Sequence, residues 1–281
     1  MNAPTLPPAM HDIAVSPPAD QAHGLRRLFG AAQAQPVLHL ALVANPHVAF
    51  CGVMLERLTT VLAALGQRTL VVDAAETSPA PHELAALDLR DGIEPLSPQV
   101  SYLAARGLPL RHVDTRGSSA HFLERVLQAA PACQVLLVHA GAPDLARLYH
   151  QHALRPLLLA GEQPQSLTHA YAAMKLLATR RALLSFDLLL SAAPGSRRAD
   201  AIAQRLASCA ESFLGAALHD WAAVDPASDV RDHPGAALCA LVAAQLQLPH
   251  DTLELPAPAA PPAPRGMPAV SRAMVRAMTL N

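Results

Sequence analysis

The sequence predicts an α/β domain of the doubly wound kind, a mostly parallel sheet with helices on both faces. Three observations point there. Between residues 37 and 253, short apolar runs alternate with stretches of helical periodicity, the pattern of repeated strand–helix–strand units. Several of the runs, "QVLLVHA" among them, are nearly continuous rather than alternating, as in strands buried on both faces. Apolar residues make up 52% of the 281 positions but aromatics only 3%, so a full core must be built from Leu, Val and Ala.

Taken in order, residues 1–19 carry Pro4, Pro7, Pro8, Pro17 and Pro18 without periodicity and read as a flexible arm. Residues 20–30 read as one short amphipathic helix, with Asp20 at its start, Ala22, Leu25, Leu28 and Phe29 at helical spacing, and Gly30 closing it. So short a helix, with Gly24 inside, is marginal alone and orders against a partner or the main domain. Strands are expected at 37–44, 69–73, 110–114, 134–140, 156–160, 185–192 and 221–225. Helices are expected at about 52–65, 118–130, 144–151, 166–179, 197–217 and 234–247. Residues 254–266 form a stiff proline-rich linker. Beyond it, residues 267–281 place Met267, Val270, Met274, Val275 and Met278 on one helix side and Arg272 and Arg276 on the other. Val270, Met274, Val275 and Met278 suit a membrane interface with the arginines on anionic head groups; docking back on the core suits them equally.

A net charge of -1 gives no electrostatic case for nucleic acid. Cys51, Cys133, Cys209 and Cys239 are scattered and read as buried thiols of a reducing compartment. The fourteen histidines form no metal-binding set, so no metal is expected. No run approaches the ~18 apolar residues of a membrane span, and the N-terminus lacks a signal-peptide core. The expected location is the cytoplasm, with peripheral attachment at the inner membrane or cell pole through the tail.

Three segments carry a resemblance to a known family. "DQAHGLRRL", Asp20–Leu28, looks like the N-terminal D-Q-A-x-x-L-R motif of FlhG, also called FleN or YlxH, the MinD/ParA-type proteins that set flagellar number and placement. Asp20, Gln21, Ala22, Leu25 and Arg26 match it. "GEQPQSLTHAYAAMKLL" resembles that family's P-E-P-x-S-L-T-D-A-Y-x-x-I-K segment at Ser166, Leu167, Thr168, Ala170, Tyr171 and Lys175, with His169 in place of the acid. "RLASCAESFLGAALHDWAAVDPASDVRDH" resembles its helix, strand and D-P-x-V turn.

The resemblance implies a MinD/ParA-like P-loop NTPase fold, and against it the nucleotide positions stand out. Counting back from Asp73 puts Asn45–Gly52, "NPHVAFCG", where the family has G-K-G-G-V-G-K-S/T. Pro46 stands for the first lysine, Cys51 for the phosphate-binding lysine and Gly52 for the hydroxyl that holds Mg²⁺; Asn45, His47, Val48 and Phe50 stand for glycines. A phosphate cradle needs residues tolerant of φ > 0, to which the bulky Val48 and Phe50 are poorly suited. Cysteine supplies no cation, and glycine no metal ligand. The D-x-D that follows keeps Asp73 but has Ala75 for its second acid, and His139 stands for the acid after the later strand. Four contributions to Mg–ATP chemistry are thus missing together, so neither ATP nor Mg²⁺ is expected as a cofactor.

Asp73 alone reads as a strand-end residue capping its turn, and His139 lies in the usual ligand crevice of such a sheet. Cys51 lies near a helix N-terminus, but no base for it is assignable from sequence. The resemblance further implies a partner, the signal-recognition-particle-type GTPase FlhF, stimulated by Gln21 and contacted by Asp20, Leu25 and Arg26. The expected function is a non-catalytic regulator of flagellar assembly. The alternatives are an active ATPase with an irregular loop, or an anti-activator of a flagellar transcription regulator; switch or C-ring components are a further partner class.

Overall fold

The computed structural model describes residues 37–248 apart from 87, 151, 153, 230 and 231. The arm at 1–19, the partner helix at 20–30, the linker at 254–266 and the helix at 267–281 lie outside the described residues, and with them Asp20, Gln21, Ala22, Leu25, Arg26 and the four membrane candidates.

The strands are β1 Leu38–Val43, β2 Thr69–Asp73, β3 Ile93–Pro95, β4 Val100–Ala104, β5 Val135–Ala140, β6 Leu157–Gly161, β7 Ser185–Ser191 and β8 Ala217–Val224. They form one sheet in the order β3-β4-β2-β5-β1-β6-β7-β8, parallel throughout except for the antiparallel β3–β4 pair. The helices are α1 Cys51–Ala64, α2 Ala120–Ala129, α3 Ala142–Leu148, α4 Pro164–Arg181, α5 Arg197–Leu214 and α6 Ala236–Leu246. The predicted class is the observed one.

Strand alternation explains why both faces are apolar. On β1, Ala41 and Val43 join one core with Leu136 and Val138 of β5 and residues of α2–α5, while Leu40 and Leu42 join the other with Val135 and Leu137 of β5 and residues of α1 and α6. α1 buries Met54, Leu55, Leu58, Val61 and Leu62, a helical stripe, on that second face. Among the described helices, α2–α5 cover the first face and α1 and α6 the second, α6 lying against α1, β1 and β8. Among the described residues, the second face is therefore open beyond α1, over β2 and β4.

Two expectations are corrected. Residues 110–114 are not a strand: Pro109–His112 is a 3-10 turn, started by a proline that has no N–H to give a ladder. The sheet position beside β2 is taken by β4, whose mixed burial hid it among polar neighbours. The fifth helix does not run to 217 but stops at Leu214, where Gly215 turns left-handed (φ 60) and the N–H of Ala216 donates to the Ala210 carbonyl. β8 consequently begins at Ala217 rather than at 221.

Candidate functional site

The loop between β1 and α1 contains a left-handed residue that is not glycine. Phe50 occupies the left-handed region (φ 58, ψ 39) immediately before α1, although it is 69% exposed. Phe50 is thus a bulky residue in a conformation to which it is poorly suited. A left-handed L-residue costs roughly 1–2 kcal/mol, so the surrounding loop holds it there. Val48 is not left-handed; it is buried in the second core, with its methyl close to Gly161.

Asn45 supplies much of that hold. Its buried amide donates to the Leu159 carbonyl (2.9 Å), the Ser166 carbonyl (2.9 Å) and Ser166 Oγ (3.0 Å), and its oxygen accepts the His47 N–H (3.1 Å). Ser166 Oγ in turn accepts the Gly161 N–H at 2.8 Å. The start of the loop is thus tied by side chains to the end of β6 and the first turn of α4. Pro46 and His47 are exposed, and the His47 ring meets that of His169 edge-on at 5.7 Å. Burial, with His47 beside it, holds His169 below the ordinary histidine range.

The second and third matching segments are accounted for by packing. In α4, Ala170 is buried and Leu167 and Tyr171 pack on the first core, whereas Thr168 and Lys175 face outward. Beyond β8, the Asp225 carboxylate accepts the Ala227 N–H (2.9 Å), and Arg57 of α1, nearly fully buried, donates to the carbonyls of Ser228, Asp229 and Asp232. α1 is thereby fastened to the turn that leads into α6.

The sheet register brings together three residues that the sequence offered separately. Asp73 and His139 are direct partners on adjacent β2 and β5, both on the face that carries α1. His139 Nδ1 lies 2.8 Å from Asp73 Oδ1, and its Nε2 lies 3.4 Å from Cys51 Sγ. Asp73 Oδ2 accepts the Tyr102 hydroxyl at 3.0 Å, from β4 on the same face. His139 is 2% exposed and Asp73 6%, while Cys51 is partly exposed. Burial disfavours the charged imidazole, but the hydrogen bonds to Asp73 and Cys51 outweigh it and lift His139 to about 9. Burial and the Asp73 carboxylate push the Tyr102 phenol well above its usual value. Asp73 does more than cap its turn: it is the hub of a buried network that also reaches the Ala75 N–H (3.4 Å). Ala75 is itself buried and offers no side-chain oxygen, and its carbonyl accepts the Ser78 hydroxyl at 2.8 Å.

This network sits at one end of a cleft of about 720 Å³ between α1 and the open part of the sheet. Leu55, Val71, Pro79, Leu96 and Val100 give it apolar walls, and Glu56, Thr59, Thr60 and Ser97 are among its polar members. Gly52 borders it too, and a Cβ there would meet nothing within 4 Å, so no steric demand explains the glycine. Tyr102 and the cleft were missed from sequence because β4 was. Among the described residues, no cluster of His, Cys, Asp and Glu is arranged to hold a metal ion. No helix among them is long and apolar enough to cross a membrane.

No family model matches the chain, and no curated protein sequence matches it. Its likenesses are to solved structures. The MinD cell division protein of Aquifex aeolicus is 11% identical, with 74% of this chain and 96% of that one covered at a TM-score of 0.50. A plasmid partition protein of Borrelia burgdorferi B31 bound to AMPPNP is 7% identical, with 75% and 98% covered at 0.51. A Cyanothece McdA variant in complex with ATP is 12% identical, with 75% and 97% covered at 0.50. At such identities the likeness is one of fold: the sheet and its helices have the MinD/ParA-like arrangement of P-loop NTPases.

Proposed function

We propose that this chain is an FlhG-like regulator of flagellar number or placement that does not hydrolyse ATP, and that presents its N-terminal motif to an FlhF-type GTPase. The observation that carries the first half is what occupies the phosphate-loop positions. Cys51, at the lysine position, is hydrogen-bonded to His139, and the imidazole's charge is matched by Asp73, so neither of these residues offers a triphosphate a free cation. Gly52 and Ala75 lack the oxygens that would take Mg²⁺. Asn45 ties down the start of the loop with side-chain bonds in place of a glycine's freedom.

The second half rests on the resemblance of Asp20–Leu28 to the D-Q-A-x-x-L-R motif, in which Gln21 would orient an attacking water in the partner. In that reading the sheet domain is a rigid platform, and the 267–281 helix lends it peripheral contact with the inner membrane or cell pole. The test is GTP turnover by the cognate GTPase with the full-length chain, with a peptide of residues 1–35 and with Gln21→Ala. The reading expects stimulation by both, lost in the variant. Turnover unchanged by either overturns the GTPase assignment, and co-purification with a flagellar transcription regulator after deletion of residues 1–30 would favour the anti-activator instead.

A further inference from the structure

We propose that the former nucleotide crater is an acyl-transfer site in which Cys51 is the nucleophile, His139 its proton acceptor and donor, and Asp73 the group that positions the imidazole. The proposal goes beyond the regulatory reading and shares only its premise that the cleft does not bind ATP; it does not depend on the partner assignment, because it uses no residue of the N-terminal motif.

Geometry carries it. A thiol activated for covalent chemistry needs a base within reach and a third group that fixes the base's ring. Here the sulfur lies 3.4 Å from Nε2, and the other ring nitrogen lies 2.8 Å from a carboxylate oxygen. The Asp73 contact keeps hydrogen on Nδ1, so Nε2 is the nitrogen that exchanges a proton with the sulfur. Tyr102 donates to the second carboxylate oxygen and so fixes Asp73 as well. The three groups come from the end of β2, the end of β5 and the first residue of α1, so rigid elements hold each of them.

Access is graded as the chemistry requires. The base and its orienting acid are buried, while the sulfur is partly exposed and lines the cleft of about 720 Å³. The cleft's walls, Leu55, Val71, Leu96 and Val100, suit an apolar acyl chain better than a polar or charged one. α1 starts at the nucleophile without a side-chain cap, so the first-turn N–H groups of Cys51 and Gly52 have no carbonyl one turn earlier to bond. These are the donors that a developing oxyanion beside Cys51 would use. Two of the other described thiols are placed differently: Cys133 and Cys239 give their S–H to backbone carbonyls, and burial pushes Cys133 up to about 11.

The step balances without a further reagent. Cys51 Sγ attacks the carbonyl carbon of an ester or thioester, and its proton resides on His139 Nε2. The S–C bond forms, the bond to the leaving alkoxide or thiolate breaks, and His139 gives that group its proton. Water then attacks the Cys51 thioester; His139 takes a proton from the water, and that proton returns to the departing sulfur. The products are a carboxylic acid and a free thiol.

The experiment treats the full-length protein with p-nitrophenyl butyrate and follows nitrophenolate release and intact mass. One butyryl group per chain, mapped to Cys51 ahead of Cys133, Cys209 and Cys239, is the expected result. Cys51→Ser, which leaves the Asp73–His139 pair in place, should abolish the burst while keeping the fold. His139→Gln should slow acylation about 100-fold or more. It should also change the shape of the pH profile of acylation, which a merely structural defect would scale without reshaping. Asp73→Asn should reshape the profile in the same direction. Acylation spread evenly over the four cysteines overturns the proposal, a reading that comes from the wild type and needs no variant to fold; so does a pH profile that keeps its shape in His139→Gln.

Discussion

Replacing Asp187 by alanine is expected to lower the unfolding free energy by about 3–5 kcal/mol, the largest effect of any single change considered. Asp187 is fully buried in β7. Its Oδ2 accepts Gln245 Nε2 of α6 at 2.6 Å and lies 2.9 Å from Arg155 Nε; its Oδ1 accepts the Asp220 N–H of β8 at 3.1 Å. The Arg155 nitrogen is close but out of line for a hydrogen bond, so that contact is chiefly attraction of charge. One carboxylate therefore joins the segment entering β6 to β7, β8 and α6. Burial raises its carboxyl above the usual range while Arg155 and the two donors pull it down. Alanine would leave a guanidinium without its counter-charge, and a buried Gln245 amide with only the Arg155 carbonyl (3.1 Å) to accept from it, which costs more than losing a surface pair. Denaturant unfolding read by circular dichroism checks this. A loss below about 1 kcal/mol, the range of an exposed ion pair, would mean the network is not formed in solution.

The second large effect is a loss of stability on raising the pH. His139 is lifted from 6.5 to about 9 in the folded chain. Its folded value is the higher one, so the contribution is fully present below the unfolded value of 6.5 and disappears as the pH climbs through about 9. At about 1.4 kcal/mol per unit, the window spans on the order of 3 kcal/mol. The groups facing the imidazole are Asp73 and Cys51, with Tyr102 behind Asp73. Thermal unfolding between about pH 6 and 9.5 should therefore show a falling Tm, and His139→Gln should flatten the slope. Parallel slopes in the two proteins would show that the imidazole does not carry the charge in the native state.

Much of the fold was legible because its strands are buried on both faces. "LHLALV", "TLVVD" and "VLLVHA" each announce a central strand, and Cys51–Ala64, although its arginine is buried, keeps a helical stripe. β4 was not legible: "VSYLA" is short, of mixed polarity and near the sheet edge, whereas "LRHVD" offered a better-looking run that a proline had already turned. The site was half legible. Cys51 and His139 could be marked as departures from the family's nucleotide positions, and Asp73 as an acid that is kept. That they touch depends on β2 lying beside β5 with Asp73 opposite His139, and parallel register leaves no trace in local sequence. Asp187 did leave a signal, a lone acid inside the apolar run "SFDLLLS".

These residues describe a domain of MinD/ParA-like fold in which a thiol, an imidazole and a carboxylate beside the cleft are bonded to one another. The acyl-transfer proposal and the regulatory one are compatible, since the first concerns the cleft and the second the N-terminal motif. Both start from the same claim, that ATP is not this crater's ligand. Isothermal titration of the full-length chain with Mg–ATP tests it most directly. No saturable heat up to millimolar ATP is the predicted result; one-site, Mg²⁺-dependent binding in the micromolar range, lost when Gly52 or Cys51 is replaced by a bulkier residue, would contradict it.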